Sequence, residues 1–206
     1  MVEIPKIKGS DRVAVIGSSG SGKTFLSKRM LPYDGKRIIV VDPKRTFKPA
    51  PNQVMPVIKD IAHISRQTFF VFQPKLTQYD DMEVYDRLLK HAYNVGNITL
   101  YIDDLAGICD SPSSYPKAMK LCYNLGRERN VNIISCLQRP MHVPGYIWAN
   151  TEHYFIFNVP LESDRKKLLG IIPAYDPMKI HKAPKYSFGY YHRDTPELAQ
   201  LRKIKK

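Results

Sequence analysis

The chain has 206 residues, enough for one substantial core, and 32 Lys and Arg against 19 Asp and Glu give a net charge of +13, an excess that favours a polyanionic partner. Its longest apolar runs, residues 38–41 and 69–72, are far too short to span a membrane, and residues 1–5 lack a signal-peptide pattern, so a soluble, intracellular protein is predicted. Three widely spaced cysteines, Cys109, Cys122 and Cys136, and scattered histidines without a His-x-x-x-His pair speak against a disulfide framework or a zinc site; the cysteines read as buried apolar residues.

In chain order, Val13-Ala14-Val15-Ile16 reads as a buried strand. It runs into Gly17-Ser18-Ser19-Gly20-Ser21-Gly22-Lys23-Thr24, and residues 25–30 read as a helix stopped by Pro32. That is a phosphate-binding loop in its proper setting. Glycines let the backbone curl so that successive N–H groups point at phosphate oxygens, and the helix N-terminus adds partial positive charge. Lys23 is the residue expected to reach the β- and γ-phosphates of ATP, and the Thr24 hydroxyl to ligate Mg²⁺. A flexible Ser/Gly linker would not explain why Lys-Thr opens a helix. A dinucleotide turn starting at Gly20 would need its helix-packing glycine where Phe25 stands.

Residues 37–41 follow as a strand ending at Asp42-Pro43-Lys44, then a looser Pro-rich segment to about residue 60, and a strand at 68–72. Residues 79–94 carry Met82, Val84, Tyr85, Leu88, Leu89 and Tyr93 on one helical face, with Gly96 as the stop. The strand 98–102 delivers Asp103 and Asp104 at its tip. A helix at 115–128 leads to a strand at 131–137 ending in Gln138-Arg139-Pro140. A strand at 154–157, a short helix at 162–169 and an edge strand or hairpin at 185–192 complete the chain.

Strands alternating with helices, most of them apolar throughout, predict an α/β fold with a mainly parallel sheet covered on both faces and a ligand at the carboxyl ends of the strands. One domain is expected, with a core over about 10–160 and a basic C-terminal extension over about 161–206, which holds eleven Lys and Arg against five Asp and Glu. Asp103 is the natural metal carboxylate opposite Thr24. Asp104 is placed to orient or deprotonate an attacking water, and Gln138 to hydrogen-bond that water or the γ-phosphate.

Together GSSGSGKT, VVDPKR, ITLYIDDL and GRERNVNIISCLQRP resemble the HerA/FtsK group of P-loop motor ATPases, especially the small genome-packaging ATPases of membrane-containing icosahedral viruses, including archaeal turreted ones. The likeness covers residues 10 to about 160. It implies a single-domain, RecA-like P-loop NTPase in which the strand before Gln138 lies between the phosphate-loop strand and the Asp103 strand. It also implies a homo-oligomeric ring whose neighbouring subunit supplies an arginine in trans, here Arg127 or, as runner-up, Arg129. The partners it implies are double-stranded DNA and capsid or capsid-membrane proteins at a packaging vertex, in the host cytoplasm or the virion. Asp104 departs from the glutamate usual in the family. It is shorter by one methylene, so either the site closes tighter around the water, the favoured reading, or another carboxylate takes the role.

Candidate DNA grips are Lys117, Lys120 and the basic residues after Lys179. Rival readings are a nucleotide or nucleoside kinase with Arg165-Lys166-Lys167 as a phosphate lid, and a non-viral DNA-pumping relative. A GTPase lacks its Asn-Lys-x-Asp motif here, and an ABC ATPase its Leu-Ser-Gly-Gly-Gln signature.

Overall fold

The computed structural model describes residues 5, 7–35 and 37–204, the side chains of 196–201 excepted. Residues 1–4 of the presumed start and Lys205 and Lys206 of the basic end lie outside the described residues. The elements in chain order are β1 (Arg12–Ile16), α1 (Lys23–Lys28), β2 (Ile38–Val41), β3 (Val57–Ile58), β4 (Phe69–Phe72), α2 (Met82–Val95), β5 (Ile98–Ile102), α3 (Lys117–Leu125), β6 (Val131–Leu137), α4 (Gly145–Asn150), β7 (His153–Ile156), α5 (Glu162–Ile171), α6 (Pro177–His181), β8 (Ser187–His192) and β9 (Thr195–Lys203).

All nine strands join one sheet in the order β3-β4-β2-β5-β6-β1-β7-β8-β9, parallel up to β7, with β8 and β9 added antiparallel. β6 lies between β1 and β5, as the family likeness implied. The inner strands β1, β2, β5, β6 and β7 are buried at every position and largely apolar because both faces are covered. Val13 and Val15 of β1 pack with Leu26, Phe155 and Phe188, while Ala14 and Ile16 pack on the opposite face with Leu88, Leu137 and Ile147.

Helix α2 shows how sequence becomes layer. Asp81 caps it by accepting from the Glu83 N–H at 3.0 Å, and Val84, Tyr85, Leu88, Leu89 and Ala92 make a buried stripe at helical spacing. Removing the fully buried Leu88 side chain would cost about 2–5 kcal/mol.

The structure adds four elements absent from the sequence reading: β3, α4, α6 and β9. It also ends α1 at Lys28, two residues early, and turns the end of the 115–128 segment into a 3-10 turn, Gly126–Arg129. The 185–192 stretch is the first strand of a hairpin and lies inside the sheet, because β9 pairs along its far side. Among the described residues no helix is long and apolar enough to cross a membrane.

Candidate nucleotide site

Parallel register brings the carboxyl ends of β1, β2, β5 and β6 to one edge. The loop after β1 is tied to both neighbouring tips: the Gly17 N–H donates to the Leu137 carbonyl and the Ser18 N–H to the Asn158 carbonyl, each at 3.0 Å. Gly17 has φ +154°, and a Cβ there would stand 2.6 Å from Phe157 Cβ, so a side chain is excluded by contact as well as by conformation. Gly22, at φ +109°, opens α1 with the Tyr186 ring close above it.

Lys23 is buried, and its ammonium donates to the carbonyls of Gly17 and Ser18, both at 2.8 Å. Burial lowers its pKa from the ordinary lysine value, an effect opposed by Asp104 and Asp103. The loop thus holds a cation within its own curl.

Asp103 begins where β5 ends, its N–H donating to the Val41 carbonyl at 3.0 Å. Its Oδ1 accepts from Thr24 Oγ1 at 3.2 Å and from Tyr101 OH at 2.5 Å, and Thr46 Oγ1 reaches Oδ2 at 3.5 Å. Burial raises the Asp103 pKa, against the lowering pull of the Tyr101 and Thr24 hydrogen bonds. Thr24 and Asp103 are therefore brought together as the sequence led one to expect.

Asp104 is 4 % exposed; its Oδ2 lies 2.5 Å from Lys44 Nζ, and its Oδ1 is buried without a hydrogen-bond partner. Lys44 rides on a turn fixed by Asp42, a fully buried carboxylate that accepts from the N–H groups of Thr46 (3.1 Å) and Phe47 (2.9 Å) and from Gln73 Nε2 (2.8 Å). Ser19, Gly20, Gly22, Lys23, Thr24, Lys44, Thr46, Asp103, Asp104, Gln138 and Tyr186 line one cavity of about 560 Å³. A second pocket of about 310 Å³ adjoins it across Ser19, Gly20 and Tyr186, and includes Asn158 and His181.

This donor set fits a magnesium triphosphate. A buried ammonium and loop N–H groups suit phosphate oxygens, and the Ser21 hydroxyl is buried with no hydrogen-bond partner of its own. Thr24 and Asp103 bring one hydroxyl and one carboxylate together, a pair that suits an ion whose remaining shell is phosphate and water. The three cysteines are buried, and burial pushes their thiols up to about 12, 12 and 11 for Cys109, Cys122 and Cys136, so none is poised as a nucleophile.

Arg127 is not gathered into its own chain's cavity. It sits on the 3-10 turn before β6, at the opposite edge of the sheet, and pairs with Glu152. Arg129, on the same turn, donates to the Asn94 carbonyl at 2.7 Å and lies over the Tyr93 ring. Arg139 is held by buried Asp164 at 2.9 Å, which fixes the turn after Gln138.

Sequence reasoning missed Lys44, Thr46 and Tyr186 as cavity residues. The Asp-Pro-Lys signal for Lys44 and Thr46 was on the page, since a carboxylate before proline at a strand end organises a turn. Tyr186 gave no signal that places it in the cavity; its φ of +71° belongs to the turn closed by the Ser187 N–H on the Pro184 carbonyl at 3.0 Å.

No protein-family model matches the chain. In sequence it is 25% identical over 182 residues to the DNA packaging ATPase P9 of Enterobacteria phage PRD1, covering 84% of this chain and 74% of P9. In fold it is similar to the genome packaging NTPase B204 of Sulfolobus turreted icosahedral virus 2, solved in complex with ATP-gammaS, with a TM-score of 0.78 over 96% of this chain and 100% of B204 at 16% identity. It is also similar to VirB4 of Thermoanaerobacter pseudethanolicus, with a TM-score of 0.71 over 95% of this chain and 89% of VirB4 at 12% identity. The chain is a P-loop NTPase in fold and, over most of its length, similar to the genome-packaging ATPases of viruses.

Proposed function

We propose that the protein is an ATP-driven motor that translocates double-stranded DNA, packaging a viral genome into a preformed capsid. One observation carries the chemistry: Lys23, Thr24, Asp103, Asp104 and Gln138, drawn from three strand tips, share a single cavity. The loop N–H groups and Lys23 bind the β- and γ-phosphates. Thr24 and Asp103 hold Mg²⁺, which when bound neutralises phosphate charge. Asp104 takes a proton from the attacking water as its oxygen bonds to phosphorus and the bond to the departing diphosphate breaks. Gln138 positions that water or the γ-phosphate, and the second pocket offers room for the nucleoside half, with Tyr186 as the shared wall.

Assembly into a ring supports a further step. Arg127 lies on the far edge from its own cavity, where it can serve only a neighbour's nucleotide, and its planar guanidinium suits the charge that develops on the equatorial oxygens. Lys117 and Lys120 are exposed on α3, and Lys179, Lys182 and Lys185 are exposed near the second pocket; they offer sequence-independent phosphate contacts. Capsid proteins at the packaging vertex complete the partner set.

The kinase reading fits less well. Arg165 donates to the Val159 carbonyl at 3.1 Å and also to that of Pro160, Lys166 pairs with Glu162 at 2.8 Å, and none of Arg165, Lys166 and Lys167 lines the phosphate cavity. A non-viral DNA-pumping role is the second reading, which a host genomic context would favour. The test is ATP hydrolysis with and without duplex DNA across a salt series. Stimulation that falls steeply with salt is expected, and hydrolysis indifferent to both DNA and salt would refute the motor.

A further inference from the structure

The strand tip that carries the hydrolytic carboxylates does not stand alone; it is packed against the turn that follows β2. Pro43 of that turn lies against Gly107, where a Cβ would meet its Cγ at 3.2 Å, and Gly107 donates its N–H to the Asp104 carbonyl at 3.1 Å. Thr46 of the same turn reaches Asp103 at 3.5 Å, and Lys44 reaches Asp104 at 2.5 Å. Asp42 is the rivet: fully buried, it ties the N–H groups of Thr46 and Phe47 and the Gln73 amide to one carboxylate, so Lys44 is delivered from a rigid base on a side chain still 40 % exposed.

From this geometry we infer that Lys44 is a positioning residue that restrains Asp104. The inference rests on the reading of Asp104 as the proton acceptor and adds its regulation. An ammonium at ion-pair distance occupies one carboxylate oxygen of Asp104 and keeps it from a water. The other oxygen, Oδ1, is buried without a partner, so neither oxygen is open to a water while the pair holds. A phosphate-binding ammonium is already supplied by Lys23, buried within the loop itself. Lys44 therefore acts on Asp104, and hydrolysis proceeds at full rate only when the exposed Lys44 side chain swings off its fixed base and the pair opens. Duplex DNA, a polyanion that competes for an exposed ammonium, is what opens it.

The test uses the full chain with Lys44→Met and Lys44→Arg beside the wild type, and Asp104→Asn as a separate arm. Turnover is measured without and with duplex DNA, and equilibrium binding is measured with ATP-gammaS. Lys44→Met is expected to raise the DNA-free kcat at least threefold, to leave KM and ATP-gammaS affinity within twofold, and so to shrink the stimulation by DNA. Lys44→Arg, which keeps an ion pair, should keep the low DNA-free rate. In an Asp104→Asn background Lys44→Met should change nothing. A fall in kcat in Lys44→Met, or tenfold weaker ATP-gammaS binding, would make Lys44 a phosphate ligand and overturn the inference; so would an unchanged DNA-free rate. Full turnover in Asp104→Asn alone would instead remove the base assignment on which it rests.

Discussion

Arg127 pairs with Glu152, a carboxylate only 5 % exposed whose other oxygen accepts from the Arg12 N–H at 2.7 Å. Arg193 adds a second guanidinium at 3.6 Å. The carboxylate stays served when Arg127 leaves, so the half-exposed Arg127 can exchange this partner for a neighbour's nucleotide without stranding a buried charge. Arg127→Ala is expected to retain nucleotide binding and to lose turnover by about a thousandfold in the assembled state, the scale of a supplied arginine. Subunit mixing makes the check specific. Arg127→Ala and Asp104→Asn are each inactive alone, and a mixture should regain hydrolysis because one lends the arginine and the other the base. A silent mixture would place Arg127 outside the mechanism, and Arg129→Ala would then be the variant to examine.

Tyr101 is fully buried beneath Asp103 and donates to it at 2.5 Å, while Thr24 shares the same oxygen. Tyr101→Phe removes that donor with little change of volume. The carboxylate then loses one of the bonds that aim it, and the concentration of Mg²⁺ needed for half-maximal turnover should rise several-fold, on the order of the 10–100-fold effects seen when outer-shell partners of metal sites are removed. ATP affinity in saturating Mg²⁺ should barely move. An unaltered Mg²⁺ requirement would show that Thr24 and the backbone orient Asp103 unaided.

Gly17→Ala places a methyl 2.6 Å from Phe157 Cβ at a φ of +154°. The loop must shift or Phe157 must yield, at a cost of about 1–3 kcal/mol. Urea unfolding should register that loss, and nucleotide binding should weaken more than stability alone accounts for, since the loop amides move. Ala at Gly145, where nothing lies within 4 Å, is the control and should leave both measurements near wild type.

His153 joins β7 to its surroundings, with Nδ1 2.9 Å from Tyr190 OH and Nε2 3.1 Å from Asp11. Burial lowers its pKa below 6.5, with the Asp11 hydrogen bond opposing. The unfolded chain therefore binds the proton more readily than the folded one. Its contribution to stability is fully present above about pH 6.5 and is lost as pH falls toward the depressed folded value. Melting temperatures between pH 7 and pH 5 should fall less in His153→Gln than in wild type; equal slopes would assign the acid sensitivity to other groups.

The phosphate loop, the acid tip and the two central strands were legible because their causes are local. Residues 98–102 and 131–137 are predominantly apolar, with only Thr99, Asn132 and Ser135 polar, and stop at Asp103 and at Gln138, so the strand bounds follow from local composition. The Lys44–Asp104 pair was not legible, since it joins residues sixty positions apart through sheet order and a turn held by a buried aspartate. β9 and Tyr186 escaped for a similar reason: an added edge strand is specified by what it pairs with. Helix α6 is different. Asp176 before Pro177 is a cap followed by a first-turn proline, and it accepts from Met178 and Lys179 N–H groups at 3.0 Å, so that signal was readable.

β6 carries Arg127 just ahead of its first residue and Gln138 just after its last. Seven residues of extended chain span about 23 Å, laced by hydrogen bonds to β1 and β5 on either side and so unable to stretch or buckle independently. In the proposed ring, the arginine a protomer would lend across a seam and the glutamine that would meet its own γ-phosphate thus sit at opposite ends of one stiff rod. In a closed circle of such rods, news of each hydrolysis would travel from seam to seam as a push.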